Sequence, residues 1–282
     1  MKSPSSANVD SSASVSWRRP AKLSTLRDDQ VHVWRVPLEF SPAAVDWLSQ
    51  FLSNDERDRA RRFHFNSDRD HFIVARAWLR IIIGYYVRVE PAELEFDYSS
   101  YGKPSLAKPF AEVTGLNFNL AHSGELAILG ITMRRQIGID LERISDKVAY
   151  EEIARRFFSS SEVACLSSLP QAARARAFFN GWTRKEAFIK AKGLGLSLDL
   201  DQFDVTLDDQ EAALLRTCWD ETEVEQWSLR ALDVGPGYVA AVAAEGKDWQ
   251  LSYWQIDDGM IEQHLVEGNG FRPGPSSQYP TR

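Results

Sequence analysis

The chain has 282 residues, of which 44% are hydrophobic and 26% are charged, so it can bury the core of one large domain or two modest ones. Its formal net charge of −7 argues against a nucleic-acid-binding protein. The two cysteines, Cys165 and Cys218, lack the spacing of a disulfide framework or a metal site. No apolar run has the length of a signal peptide or a membrane span, so we expect a cytoplasmic protein without a membrane partner.

The predicted elements follow one another between two polar tails, residues 1–28 and 266–282, which we expect to be disordered. No long linker divides the body, so we expect two packed halves, residues 29–135 and 136–265. Hydrophobic periodicity predicts the elements of the first half: a strand at 31–38, helices within 41–63 with Ser53 as a cap, a long helix at 70–86 and strands within 116–132. The second half is predicted to hold a strand at 137–144, helices at 150–159 and 171–192, and strands at 203–207, 227–232, 238–244 and 251–255.

The first motif with chemical potential is the pentapeptide GIDLE at residues 138–142. On a strand, Asp140 and Glu142 share one face while Ile139 and Leu141 face the core. Two carboxylates on one face suit a hard cation such as Mg²⁺, which takes one or two carboxylates together with phosphates and water. A solvent-facing acidic strand explains the same pattern without a metal.

The second motif, WTRKEAFIKAKG at residues 182–193, belongs to a predicted helix. Trp182, Glu186 and Lys190 lie four residues apart and therefore share one stripe of that helix. Glu186 could complete the metal shell that Asp140 and Glu142 begin, and Lys190 would then lie beside the bound anion. A surface helix with an ordinary Glu–Lys pair is the simpler interpretation of this motif alone.

Two shorter motifs lie in the first half. FNLAHS at residues 118–123 ends a predicted strand with His122, and strand ends are common places for binding residues. YGKP at residues 101–104 is a turn that displays Lys103, which could meet a phosphate. Either motif alone is equally explained as a structural histidine or an ordinary turn.

These four motifs, in this order, resemble the 4'-phosphopantetheinyl transferases, specifically the larger, monomeric surfactin-type branch. The resemblance covers about residues 30–250, including WTRKEAFIKAKGLGLSL at 182–198 and GYVAAVAAEG at 237–246. It implies an α+β fold of two similar halves related by pseudo-twofold symmetry, with coenzyme A between them. Ala121 stands where the family more often has Ser, a change we expect to matter little because His122 is kept.

The resemblance also implies an activity and a set of site residues. The expected reaction moves the 4'-phosphopantetheine group from coenzyme A to a serine of an apo acyl, peptidyl or polyketide carrier protein and releases 3',5'-bisphosphoadenosine. Asp140, Glu142 and Glu186 are the expected Mg²⁺ ligands. Glu186 is also the expected base, and Lys190 is expected to stabilise or protonate the leaving oxygen.

Four further residues match family positions that contact coenzyme A: Lys103, His122, Lys185 and, from the basic region of the long helix, Arg76. His122 is expected near the 3'-phosphate. Two alternatives remain open at this point. One is another Mg²⁺-dependent phosphate-processing enzyme that shares only the acidic cluster, and the other is a non-catalytic module that binds coenzyme A and carrier proteins.

Overall fold

The computed structural model describes residues 16–19, 25–108, 110–209, 211–256 and 259. The predicted C-terminal tail and most of the predicted N-terminal tail lie outside these residues. One described segment of the N-terminal tail, residues 16–19, does have defined contacts. The Trp17 indole donates to the carbonyl of Asp233 at 3.0 Å, and the Arg18 N–H donates to the carbonyl of Tyr253 at 3.1 Å. The disorder expected for residues 1–28 therefore does not extend to this segment.

The first half contains five strands and four helices among the described residues, in the order β1 (Gln30–Pro37), α1 (Pro42–Ser49), α2 (Asn54–Ala60), α3 (Asn66–Val87), β2 (Phe96–Tyr98), β3 (Pro104–Leu106), α4 (Phe110–Thr114), β4 (Leu116–Ser123) and β5 (Leu126–Met133). Ser53 precedes α2 as expected, and its N–H donates to the Glu56 carboxylate at 3.1 Å, which satisfies one end of the helix.

The rest of the described chain contains β6 (Ile137–Arg143), α5 (Tyr150–Phe157), α6 (Ser160–Ser168), α7 (Gln171–Lys192), β7 (Phe203–Val205), β8 (Leu214–Thr217), α8 (Glu223–Gln226), β9 (Trp227–Leu232), β10 (Tyr238–Glu245) and β11 (Gln250–Gln255). The long helix α7 has the bounds that periodicity predicts. It ends at Gly193, whose φ of 69° is a left-handed conformation that glycine adopts without strain.

Two main sheets are formed, with strand orders β11-β1-β5-β4 and β6-β10-β9. They pack face to face through an apolar cluster that includes Val33, Ile128, Ile139 and Val242. Helix α3 covers the outer face of the first sheet, and α7 covers the outer face of the second. The layers follow the symmetric order helix, sheet, sheet, helix. This arrangement confirms an α+β fold of two parts.

Strand β11 corrects the predicted division between the halves. It follows all other described strands in the chain, yet it pairs in parallel with β1, with Val33 opposite Tyr253. Trp254 and Ile256 accordingly belong to the core beneath α3. The second half thus ends before residue 250 in space, and the last strand completes the first sheet. None of the described helices is long and apolar enough to cross a bilayer.

Candidate active site

Strand β6 brings the predicted acidic pair against helix α7. Ile139 and Leu141 are buried between the sheets, as the alternation predicts. Gly138, Asp140 and Glu142 point to the other face. A Cβ atom on Gly138 would lie 2.0 Å from the Ala187 carbonyl oxygen, so only glycine lets the helix backbone approach the strand this closely.

Helix α7 supplies the second part of the site. Glu186 and Lys190 lie one turn apart on the helix, and both reach the space next to β6. The Lys190 ammonium is 2.5 Å from Asp140 Oδ1. This ion pair joins two motifs that are 50 residues apart in the chain.

Asp140 is the most enclosed carboxylate of the site, with 5% of its surface exposed. Burial raises the pKa of Asp140 to about 6, although the neighbouring Lys190 charge opposes the change. Its Oδ2 atom is buried and has no hydrogen-bond donor. An unsatisfied carboxylate oxygen at this point is available for a cation.

The other two carboxylates lie close enough to sense each other's charges. Burial raises the pKa of Glu142, and the charge of Glu186 adds to the effect. Burial also raises the pKa of Glu186, assisted by the charge of Asp140. Glu142 Oε2 accepts a hydrogen bond of 2.9 Å from the Ser123 hydroxyl. Three carboxylates that destabilise one another's charged forms create a demand for positive charge, which Lys190 meets in part.

The donor set fits a hard divalent cation. Within the described ranges, no group of three or more His, Cys, Asp and Glu side chains has the spacing of a preformed metal site. The contacts explain why: Lys190 engages Asp140, and Ser123 engages Glu142. Mg²⁺ normally keeps several water and phosphate ligands, so it does not require an all-protein cage. The carboxylates and the orphaned Asp140 oxygen suit such a partly built site.

A cavity of about 350 Å³ adjoins these residues. Glu186 and Lys190 form one wall, and residues of the predicted turn, Tyr101 and Lys103, form another. His122, the next-to-last residue of β4, lies nearby: burial lowers its pKa, and the charges of Lys190 and His71 lower it further. The structure therefore brings all four sequence motifs to one place between the two halves.

Lys103 is engaged by the chain itself. Its ammonium donates to the main-chain carbonyls of Ile137, at 3.0 Å, and Lys190, at 2.6 Å. Burial lowers the pKa of Lys103 to about 8. The sequence predicted only a contact between Lys103 and coenzyme A. In the structure Lys103 has a role that was not predicted, because it joins the turn to both β6 and α7.

Lys185 and Arg76 are corrections to the predicted set. Lys185 is 0% exposed; its ammonium lies 2.9 Å from Glu162 Oε2 and donates to the Leu200 carbonyl at 2.7 Å. It lies in the core behind α7 and cannot reach a phosphate. Arg76 is also buried, and its Nε donates to Glu56 Oε1 at 2.7 Å. Both cations balance buried carboxylates, and this engagement argues against the predicted contacts with coenzyme A.

Sequence reasoning did not assign roles to Asn119 and Ser123, although both belong to the FNLAHS motif. Asn119 Oδ1 accepts from the Ile139 N–H at 2.8 Å, and Ser123 contacts both Glu142 and the Arg143 N–H. Asn119 and Ser123 are four residues apart on β4, so their side chains lie on the same face of the strand. This spacing is the sequence feature from which a shared role could have been predicted.

Two family profiles match most of the chain. The profile described as 4'-phosphopantetheinyl transferase superfamily matches residues 136–243, and the profile described as 4'-phosphopantetheinyl transferase, N-terminal, matches residues 39–133. The chain is 43% identical over 236 residues to the 4'-phosphopantetheinyl transferase HetI of Nostoc sp. strain PCC 7120, which covers 84% of this chain and 96% of HetI.

Sfp, a 4'-phosphopantetheinyl transferase of Bacillus subtilis strain 168, is 31% identical over 71% of this chain and 84% of its own length. Among solved structures, the holo-[acyl-carrier-protein] synthase of Thermotoga maritima aligns with 40% of this chain and 63% of its own, at 21% identity and a TM-score of 0.32. The two profiles and the extent of the match to HetI show that this chain belongs to the 4'-phosphopantetheinyl transferase family.

Proposed function

We propose that this protein transfers the 4'-phosphopantetheine group of coenzyme A to a serine of an apo carrier protein. The serine oxygen forms a new bond to the β-phosphorus of the coenzyme A pyrophosphate. The bond from that phosphorus to the bridging oxygen breaks, and 3',5'-bisphosphoadenosine leaves. The observation that carries the proposal is the convergence of Asp140, Glu142, Glu186 and Lys190 beside a cavity of about 350 Å³. The family membership supports the same reaction.

Mg²⁺ is the proposed metal, held by Asp140 and Glu142 with Glu186. When bound, it supplies positive charge that screens the pyrophosphate and polarises the phosphorus. The orphaned Oδ2 of Asp140 and the mutual repulsion of the carboxylates support this assignment. It also agrees with the preference of Mg²⁺ for few carboxylates and several phosphate or water oxygens.

Glu186 and Lys190 are the proposed catalytic residues. Glu186 lines the cavity, where its carboxylate can accept the serine proton. Lys190 lines the same wall and can stabilise the leaving oxygen with its positive charge. Positioning and charge stabilisation carry most of the rate enhancement in phosphoryl transfer, so both residues must keep their places on α7.

Coenzyme A is the proposed co-substrate, and His122 is the proposed contact to one of its phosphates. His122 lies near the Lys190 ammonium, and its imidazole can donate a hydrogen bond to an anion beside that charge. Lys185 and Arg76 are not part of this proposal, because both are bonded within the core.

The test is the intact mass of a purified apo carrier protein after incubation with this enzyme, coenzyme A and Mg²⁺. We expect a gain of one phosphopantetheine group that a chelator abolishes and that Asp140→Asn and Glu186→Gln each reduce by at least ~100-fold. Binding of coenzyme A without transfer to carriers from fatty-acid, polyketide and peptide pathways would instead support the non-catalytic module.

A further inference from the structure

Within the described part of the chain, the edge of β6 that faces the first half has no backbone partner. β6 pairs with β10 on one side, and among the described strands no ladder joins its other edge to β4. β4 nevertheless lies directly beside it. A buried strand edge with unpaired N–H and C=O groups is costly, so the edge must be satisfied in another way.

Three side chains of the first half meet this edge. Lys103 donates to the Ile137 carbonyl at 3.0 Å, Asn119 Oδ1 accepts from the Ile139 N–H at 2.8 Å, and Ser123 Oγ accepts from the Arg143 N–H at 3.1 Å. We call Lys103, Asn119 and Ser123 the β6 clamp.

Two of the hydrogen bonds of the β6 clamp join residues with the same separation along the chain. Asn119 is bonded 20 residues ahead, to Ile139, and Ser123 is bonded 20 residues ahead, to Arg143. β4 and β6 thus lie alongside each other with side chains in place of a main-chain ladder. The N–H groups of Ile139 and Arg143, which these two bonds hold, lie on either side of the acidic pair along β6. Asp140 directly follows Ile139, and Glu142 directly precedes Arg143.

Ser123 also reaches the acidic pair itself. Its hydroxyl accepts from the Arg143 N–H and donates its proton to Glu142 Oε2 at 2.9 Å. One hydroxyl therefore fixes both the backbone beside Glu142 and the orientation of the Glu142 carboxylate. A partner that orients a ligating carboxylate commonly changes metal affinity by 10–100-fold when it is removed.

We infer that the β6 clamp is a positioning device of the active site, in which Ser123 orients Glu142 for the cation and Asn119 holds the strand that carries Asp140. This inference rests on the proposed function. The FNLAHS motif then has two tasks on alternate faces of one strand: His122 faces the ligand, while Asn119 and Ser123 face β6.

The experiment compares Ser123→Ala with Ser123→Thr, which restores a hydroxyl. Ser161→Ala is the matched control, because Ser161 also donates to a carboxylate, Asp204 Oδ2 at 3.1 Å, but on α6 behind α7. Mg²⁺ is titrated calorimetrically into each enzyme with coenzyme A bound, and holo-carrier formation is measured over a range of Mg²⁺ and coenzyme A concentrations.

We expect Ser123→Ala to weaken Mg²⁺ binding by about 10-fold or more and to raise the half-saturating Mg²⁺ concentration equally. The half-saturating coenzyme A concentration at saturating Mg²⁺ should stay within about twofold, which separates orientation of a ligand from general damage. Ser123→Thr should recover most of the affinity, and Ser161→Ala should match the wild type. Asn119→Ala should weaken Mg²⁺ binding too and also lower the melting temperature, because it leaves the Ile139 N–H unsatisfied.

An unchanged Mg²⁺ titration for Ser123→Ala would overturn the inference, as would a Thr variant no better than the Ala variant. If the wild type transfers the group but binds Mg²⁺ no more tightly than Ser123→Ala, only the inference fails. If the wild type neither transfers the group nor binds Mg²⁺ in the presence of coenzyme A, the proposed function fails and the inference falls with it.

Discussion

His32 gives a pH dependence of stability whose size follows from its surroundings. It lies on β1, is 0% exposed, and its Nδ1 forms a hydrogen bond of 2.6 Å with the Tyr86 hydroxyl on α3. Its Nε2 is buried without a partner. Burial lowers the pKa of His32 from 6.5 to about 4, and the charge of Arg27 contributes in the same direction.

The sign of the effect is fixed by these pKa values. Between pH 6.5 and pH 4 the unfolded chain binds a proton at His32 and the folded chain does not, so the free energy of unfolding falls as the pH falls. The stability that the neutral His32 contributes is fully present above pH 6.5. The loss is about 2 kcal/mol at pH 5 and approaches about 3 kcal/mol below pH 4.

The assay is urea unfolding followed by tryptophan fluorescence at pH 7 and pH 5, for the wild type and His32→Asn. The variant keeps an amide that can bond Tyr86 but does not titrate, so its free energy of unfolding should lose about 2 kcal/mol less than that of the wild type between the two pH values. Asp140 acts in the opposite direction, because its raised pKa favours the folded state as pH falls from 6 towards 3.8. The comparison of two proteins that both contain Asp140 cancels this contribution.

His64→Asn is the matched control, because His64 lies on the surface between α2 and α3. It should retain the pH dependence of the wild type. Equal losses for the wild type and His32→Asn would refute the reasoning, since the buried histidine would then not be the source of the acid sensitivity.

Three substitutions test other parts of the structure. Gly138→Ala should reduce stability by about 3 kcal/mol or more, measured by denaturant unfolding, because its Cβ would overlap the α7 backbone; an equally stable variant would contradict the close approach. Glu56→Ala should cost about 3–5 kcal/mol because it leaves two buried arginines of α3 unpaired, and a loss under 1 kcal/mol would argue against that cluster. Lys185→Met should lower the melting temperature while leaving the half-saturating coenzyme A concentration unchanged. If that concentration rises clearly although the variant is fully folded, Lys185 belongs to the coenzyme A site after all.

Periodicity predicted the long elements well, and the reason is physical. α7 is 22 residues long and β6 alternates regularly, so each carries many repeats of its own pattern. β2, β3 and β8 have only three or four residues and were not predicted, since so few residues define no period. β7 also has three residues, but it lies within the longer strand predicted at 203–207. Helix α6 was also missed, although Ser159 and Glu162 form a readable capping box at its start.

Contacts between the motifs could be predicted from the sequence. The surroundings of a side chain were harder to predict where they depend on a partner that is distant in the chain. Asp140 and Lys190 belong to two of the four motifs, and their side chains are in contact. Lys185 was misassigned because it stands next to Glu186 in the chain, yet neighbours on a helix point about 100° apart and therefore face different surroundings. Arg76 was misassigned because its partner Glu56 is 20 residues away, and no local pattern reports such a pairing.

The place of β11 has a consequence for the order of events during synthesis. β1 leaves the ribosome early, but the strand that pairs with its outer edge is made more than 200 residues later. At 5–20 residues per second this interval lasts about 10–40 s. Until then the edge of β1 remains open to wrong partners, and the core beneath α3 lacks Trp254 and Ile256. The first half therefore completes its sheet only after the second half has been made, and we expect nascent chains that stop before residue 250 to depend on chaperones to avoid aggregation.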